Sequence, residues 1–418
     1  MYKSIAQVKI EFEKSGVAVK ILFVDNSPGM GGSIHHVASQ IRQLHARGCE
    51  VNLIASKPEL FAGLMPDNIK RQGLAWEGFK NVFESSGAMF KPVLPGVLNK
   101  PFSIAAYKRL QSALVPEFLE IIRSFSPDIV HINNLNLPNK VFGDVAKKEH
   151  IPLVISAMMI RLFSRTEAKF AAQADILLCV SQAVANYVAH LRGVCVERLR
   201  IVESPIDVSL YEHRRDASIR TDLGIPENAK LVLSLGRLTP WKGHDVLIRA
   251  LGRLPEDVWL LQAGGEDEDW RKEIDKISVE SGMEGRVVFA GVRSDVPALL
   301  AASDLLAHSS KFANPKEGEV EAFGRVVIEG MATCLPVVAT DAGGPAQILR
   351  GTGAGRLVSP GDPEAMAKAI IFYLDNPKAA KQAGEKGRQV VGEKYTEEKL
   401  ADKLKIIYDD LSGERLRQ

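Results

Sequence analysis

Short runs of Val, Ile, Leu and Phe alternate along the chain with longer stretches in which apolar residues recur every three to four positions. The first kind fits strands buried on both faces, the second the amphipathic helices that cover them. Residues 19–25 predict a strand, 33–47 a helix closing at Gly48, and 50–55 the next strand. Further strands are expected at 129–132, 153–156 and 176–180. Near residue 205 the alternation restarts, with strands at 231–235, 259–263, 287–290, 305–307 and 336–339 and a helix over 244–254. Leu400, Leu404, Ile407, Tyr408 and Leu411 place a last helix over 396–411. Such alternation means parallel sheets with helices on both faces. Two doubly wound α/β halves are the economical architecture, and no repeat of the roughly 20–50 residue solenoid period is visible.

At 418 residues the chain exceeds the size at which a single core stops growing, roughly 250–300 residues. The expected domains are 1–204, 205–395, and a terminal segment 396–418 packing back on the first. Pro205, within Glu203-Ser204-Pro205-Ile206-Asp207, interrupts regular structure and marks the hinge of a linker over 204–220. Lys and Arg number 53 against 51 Asp and Glu, a net charge of +2, which argues against a nucleic-acid partner held by bulk charge. An apolar share of 46% with 25% charged residues excludes a disordered chain. The four cysteines, at 49, 179, 195 and 334, form no CxxC pair, so reduced thiols are expected rather than a disulfide framework or a zinc site. No uncharged apolar run reaches the roughly 18–20 residues of a membrane span, and the N-terminus is too charged for a secretory signal. A cytoplasmic enzyme is the expectation.

Candidate chemistry gathers at the carboxyl ends of the predicted strands, where open parallel sheets bind ligands. Gly29-Met30-Gly31-Gly32-Ser33 follows the first strand and opens a helix, so its glycines admit a close approach and its amides suit a phosphate. The spacing is not GxGxxG and no acidic residue follows at the dinucleotide offset, which disfavours NAD. A plain turn with Ser33 as helix cap is the other reading. After the strand 231–235, Gly236-Arg237-Leu238-Thr239-Pro240-Trp241-Lys242-Gly243 sets an arginine fork and a lysine point charge on one glycine-bounded loop, suited to a dianion. Two solvated surface cations are the alternative. Finally, Glu321 precedes a helical pattern that begins after Gly324 and contains Glu329. Eight residues of continuous helix would separate these carboxylates by about 12 Å. They would then address different parts of a long ligand, with the helix's leading amides near Arg325 free for a phosphate. Glutamates that merely stabilise the helix start would look the same.

In this order and at these separations the motifs resemble the retaining GT-B glycosyltransferases of family 4. The resemblance rests on the glycines at 31–32, DIVHI at 128–132, GRLTPWKG at 236–243, ALLAASDLL at 298–306, Glu-x7-Glu at 321 and 329, and PVVATDAGG at 336–344, and so covers most of the chain. It implies two Rossmann-like domains facing across a cleft, with a nucleotide-sugar donor bound mainly by the C-terminal half. It further implies that Gly236, Arg237 and Lys242 hold the diphosphate, that Glu329 takes the ribose hydroxyls, and that Glu321 contacts the donor sugar. Backbone groups of Phe323, Gly324, Arg325 and Val326 would reach sugar and phosphate, Val292 and Arg293 after Gly291 would meet the base, and Gly31 and Gly32 would close the site. Arg237, Lys242 and Glu321 are the catalytic candidates. The resemblance implies no metal and no cofactor beyond the donor, with UDP ahead of GDP. The acceptor would be a glycan or a lipid-linked molecule of cell-surface polysaccharide or glycoconjugate synthesis.

The chain departs from the family pattern in places. His131-Ile132-Asn133 sets Asn133 where a second histidine is common, which makes His131 and Asn133 candidates for acceptor or sugar contacts, with packing under the strand end as the other reading of His131. Ser156-Ala157-Met158 lacks the histidine of a Thr-x-His turn, Ser204-Pro205 replaces Asn-Gly, and Gln347 stands where Glu is common. Residues 85–116 carry Lys91, Lys100, Lys108 and Arg109 with no acidic residue, alongside many apolar ones. That segment is expected to meet an anionic inner-membrane surface or a lipid-linked acceptor, or else to pack as an ordinary loop and helix. Residues 311–319 are expected to form a flap before Glu321. An epimerase, a phosphorylase or a catalytically silent scaffold on the same fold are the alternatives, and keeping Arg237, Lys242, Glu321 and Glu329 together argues against the last.

Overall fold

The computed structural model describes residues 18–27, 31–73, 100–211, 218–312, 314–316 and 319–415. Among them thirteen strands form two sheets. The first holds β1 (Lys20–Asp25), β2 (Glu50–Ala55), β3 (Arg71–Gly73), β4 (Ile129–Asn133), β5 (Leu153–Ala157), β6 (Ile176–Cys179) and β7 (Leu199–Ile201) in the order β3-β2-β1-β4-β5-β6-β7. The second holds β8 (Lys230–Leu235), β9 (Val258–Ala263), β10 (Val287–Phe289), β11 (Leu305–His308), β12 (Val337–Thr340) and β13 (Gly355–Val358) in the order β10-β9-β8-β11-β12-β13. The two orders begin alike, and each reverses beside its first strand, between β1 and β4 and between β8 and β11. Those reversals are the switch points at which a doubly wound sheet opens a crevice. The pairing is parallel, with Ile21 opposite Ile129 and Leu305 opposite Val232.

The apolar runs become these strands because helices cover both of their faces. Ile21, Leu22, Phe23 and Val24 are all buried, as are Ile34, Ile41 and Leu44 of the helix Gly32–Ala46. Phe118 of the helix Lys100–Phe125 meets Phe142 edge-on at 4.9 Å. In the second sheet Val232 and Leu260 pack with Leu247, Ile248, Ile274 and Ile370 from three helices. The edge strands β3, β7 and β13 were not legible in the sequence, being three or four residues long and without a continuous apolar run. The helix foreseen over 244–254 is shorter, His244–Leu251, because Gly252 caps it.

Contacts divide the chain into two compact units: residues 1–156 with 169–177 and 401–418, and residues 157–168 with 178–400. The expected hinge, 203–207, lies within the second unit, where the Ile206 amide donates to Tyr395 O at 2.9 Å. The last helix, Glu397–Arg415, sends Tyr408 into the first unit, where its hydroxyl lies 2.6 Å from His131 Nδ1. No helix among the described residues is long and apolar enough to cross a membrane. Of the basic segment 85–116, residues up to 99 lie outside the described residues, while Lys108 and Arg109 are exposed on the helix Lys100–Phe125.

Candidate active site

The loop that follows β8 is locked by its neighbours. Pro240–Lys242 forms one turn of 3-10 helix, and Gly243, at φ 70°, turns the chain into the helix His244–Leu251. A Cβ at Gly243 would lie 2.0 Å from Ser309 O, so both the backbone sign and the space require glycine. Ser309 Oγ donates to Lys242 O at 3.0 Å and the Lys311 amide to Trp241 O at 2.8 Å, joining this loop to the end of β11. The Lys242 ammonium sits 4.3 Å from the centre of the Trp241 ring and 2.5 Å from Glu321 Oε2. Arg237 is exposed and forms no ion pair among the described residues. The two cations of the motif thus differ: Lys242 is committed to a carboxylate, and Arg237 is not.

Glu321 stands on a loop, as its place before the helical pattern predicts, and that loop is fixed from three sides. Val320 N–H donates to Ile160 O at 3.2 Å, Gly344 N–H to Glu321 O at 2.9 Å, and Ser181 Oγ–H to Ala322 O at 2.6 Å. The glycine at 344 is dictated by this packing, since a Cβ there would fall 2.2 Å from Phe323 Cα. Burial works to neutralise the Glu321 carboxyl, but the Lys242 charge and the His308 ring outweigh it and hold the group well below the usual carboxylate range. His308, the last residue of β11, is buried and places Nε2 3.3 Å from Glu321 Oε2. His244, buried behind Lys242, is pushed down to about 3 by burial and by the neighbouring Lys242 and His308.

Glu329 lies one turn into the helix Arg325–Ala332, which starts after Gly324 with no side-chain cap, leaving its leading amides bare of one. Its Oε1 accepts from Arg325 Nε at 2.7 Å, Arg325 Nη1 donates to Pro205 O at 3.1 Å, and Tyr211 lies beside both side chains. Arg325 therefore contributes a half-buried guanidinium to the site, in addition to the backbone amide foreseen for it. Val326 and Phe323 flank this helix start, with Phe323 buried against Tyr395 at 5.9 Å. Farther along the sheet, Arg293 is bidentate with Asp295 at 2.8 and 2.5 Å, and Val292 is 79% exposed beside Gly265. Of the expected flap, Lys311 pairs with Asp245 at 2.7 Å, while 313 and 317–318 lie outside the described residues.

In the first unit the strand ends carry a different set. Asp25 closes β1 and accepts from Asn133 Nδ2, from the Ser27 amide at 2.9 Å and from Ser27 Oγ at 3.0 Å. The N-cap of the helix Gly32–Ala46 is Gly31 rather than Ser33; Ser33 Oγ accepts from Asn133 Nδ2 at 2.9 Å and Asn134 Nδ2 at 3.3 Å. Burial raises the Asp25 carboxyl despite these bonds. His131 is enclosed, with Nε2 2.8 Å from Ser156 Oγ and Nδ1 against Tyr408, and burial with nearby His36 lowers it to about 3. Neither ring nitrogen faces solvent, and Asn133 is likewise buried. Gly31 and Gly32 are exposed at the helix start.

Sequence reasoning overlooked His308, Tyr211, Asp25 and Ser181. His308 and Asp25 carried a usable signal, since each is the polar residue that ends an apolar strand run. Tyr211 had none, lying in a stretch that reads as linker.

Two family models match the chain: Glycosyltransferase Family 4 over residues 30–210 and Glycosyl transferases group 1 over residues 216–390. A lipopolysaccharide core biosynthesis glycosyltransferase, LpsE of Rhizobium meliloti, is 29% identical over 238 residues, 57% of this chain and 65% of that enzyme. N-acetyl-alpha-D-glucosaminyl L-malate synthase of Bacillus anthracis is 25% identical over 370 residues, 84% of this chain and 94% of that enzyme. Among solved structures, Anabaena HepE in complex with UDP and glucose superposes with a TM-score of 0.73 at 22% identity, covering 94% of this chain and all of that one. That last likeness speaks for the fold, and the fold is GT-B.

Proposed function

The chain belongs to the glycosyltransferases, family 4 in its first half and group 1 in its second, and on that premise we propose that it moves a sugar with retention from a nucleoside diphosphate to a glycan or lipid-linked acceptor of cell-surface polysaccharide or glycoconjugate synthesis. UDP is the proposed nucleotide, ahead of GDP. The names of similar proteins support this reading, since one acts in lipopolysaccharide core synthesis and another was solved with UDP and glucose.

One observation carries it above the others: the Lys242–Glu321 pair, with a free guanidinium at Arg237, at the carboxyl end of β8 beside an uncapped helix start. Breaking a sugar–phosphate bond builds charge on the departing oxygens, and fixed cations and amides stabilise that charge more than they stabilise the ground state. Lys242 has three N–H donors, so it can keep Glu321 while turning another toward a phosphate. Arg237 adds a planar fork for the same diphosphate. These cations then answer the leaving group's charge without a metal. The Glu321 carboxylate would take a hydroxyl of the sugar and Glu329 the ribose hydroxyls. The acceptor would attack from the leaving group's own face, its proton passing to the phosphate oxygen, so no carboxylate nucleophile is needed.

A panel of UDP, GDP and their sugars in thermal unfolding tests the donor, because a ligand that binds only the folded state raises its melting temperature. UDP and UDP-sugars are expected to give the largest rise. A panel without any rise would remove the reading. The anomeric configuration of the product, read by NMR, tests retention.

A further inference from the structure

Glu321 receives two bonds on one oxygen. Lys242 Nζ and His308 Nε2 both approach Oε2, at 2.5 and 3.3 Å, and no bond to Oε1 is formed among the described residues. A carboxylate so close to an ammonium is ionised and accepts only, so His308 Nε2 must carry the proton that lies between them. Its other nitrogen, Nδ1, is buried with no hydrogen-bond partner. Ser310 Oγ lies 3.4 Å from the same Nε2, so its oxygen can share the Nε2–H with Oε2. The ring is held from below by its strand, since His308 lies opposite Ala339 in the register of β11 with β12. The charged and titratable groups that face it are Glu321 from the loop, Lys242 from the turn after β8, and His244 from the helix behind.

We propose that His308 is a positioning residue for Glu321: by holding Oε2 jointly with Lys242 it fixes the carboxylate so that Oε1 is presented to a hydroxyl of the transferred sugar. The proposal rests on the donor reading above. Lys242 alone does not fix the carboxylate, because an ammonium on a four-carbon stem follows its partner. A ring on a buried strand does not. Glu321 then meets the sugar in one rotamer and loses little side-chain freedom on reaching the transition state.

The test compares the full chain with His308→Leu and His308→Gln, the second of which reaches the Nε2 position with an amide donor. UDP affinity is read by calorimetry, and UDP-glucose hydrolysis without acceptor is read as kcat and KM across pH. UDP affinity is expected to stay within about twofold in all three, while kcat falls roughly 10- to 100-fold in His308→Leu, the range for losing a hydrogen bond to a charged group. His308→Gln is expected to recover most of the loss, and the acid limb of the His308→Leu profile to move to higher pH as Glu321 loses a donor. Equal losses in both variants, a loss of UDP affinity to match, or unchanged turnover in His308→Leu would each overturn the proposal. If wild-type protein bound neither UDP nor GDP, the donor reading itself would fall. Histidine 15N NMR of the free protein separates the two: the His308 ring is expected to carry its proton on Nε2 and to respond to Glu321→Gln, and a ring protonated on Nδ1 alone would overturn the contact regardless of donor.

Discussion

Asp25 is a buried and Glu321 a half-buried carboxyl, in units whose sheets have like topology, yet their surroundings push them in opposite directions. Burial favours the neutral form of both. Around Asp25 the partners are neutral, an amide from Asn133 and the amide and hydroxyl of Ser27, and they soften the rise without reversing it. Around Glu321 the Lys242 ammonium, aided by His308, carries the group to the far side of its ordinary value. Neutral hydrogen bonds compensate desolvation; a cation in contact overcomes it. The first cluster is therefore a fixed polar floor, with Asn133, Ser27 and Ser33 spending their donors on one another and on Asp25. The second holds a charge pair that can share its cation with an incoming anion. One backbone plan thus carries a neutral polar network in one unit and a charge pair in the other.

The sharpest way to break this contrast is Lys242→Ala. Turnover of a UDP-sugar is expected to fall by on the order of 3 kcal/mol in transition-state stabilisation, roughly 100-fold, as for loss of one oxyanion donor. The variant also leaves the half-buried Glu321 without its cation, so its stability in urea should fall as well. Arg237→Ala is the control, since an exposed side chain without an ion pair should cost turnover with little change in stability. Near-wild-type kcat/KM in both would strip the loop of its assigned role.

Glu329→Gln comes next in size. It keeps an acceptor for Arg325 but removes the negative charge, so the donor KM should rise roughly tenfold with kcat nearly kept if ribose binding is uniform. Glu329→Ala is the poorer probe, because it would leave the half-buried Arg325 guanidinium without its carboxylate. A fall in kcat with unchanged KM would show that this carboxylate acts in the transition state instead.

Smaller effects should separate the two carboxyls by pH. Glu321 is lowered from 4.5 on folding, so the stability it adds is complete above that value and is lost as pH falls through its folded value. Asp25 is raised from 3.8, so its contribution has the reverse sign: it is present below 3.8 and is lost as pH rises through the folded value. Urea unfolding across pH should find that Glu321→Gln removes part of the acid-side decline, whereas Asp25→Asn removes part of a decline on raising pH. The same pH response in both variants would erase the contrast.

How much of this was legible in the sequence depends on range. Strand runs such as 50–55 and the helix start after Gly324 were readable, because burial on both faces leaves an unbroken apolar run and a glycine breaks it. Motif spacing pointed to Lys242 and Glu321 but not to their contact, which spans 79 residues of chain and depends on how Ser309 and Gly243 pack. Arg325 read as a backbone donor, since nothing local foretells that its guanidinium would turn to Glu329 and to Pro205 O. His131 read as a candidate ligand because its strand-end position is visible in one dimension, whereas Tyr408, the residue that occupies its Nδ1, lies 277 positions away.

That last pair offers the mildest test, and it bears on the scaffold side of the comparison. His131 is neutral and enclosed, with Ser156 on one nitrogen and Tyr408 on the other. Tyr408→Phe keeps the ring's packing and deletes one hydroxyl, leaving a buried imidazole nitrogen without its partner. The expected cost is about 1 kcal/mol, the net worth of one neutral hydrogen bond, read by urea unfolding. Donor affinity and turnover should be unchanged, because no residue assigned to the donor touches this pair. A drop in turnover larger than the loss of stability would mean that the helix Glu397–Arg415 reports on catalysis through His131, and the neutral network of the first unit would then have to be counted as chemistry as well.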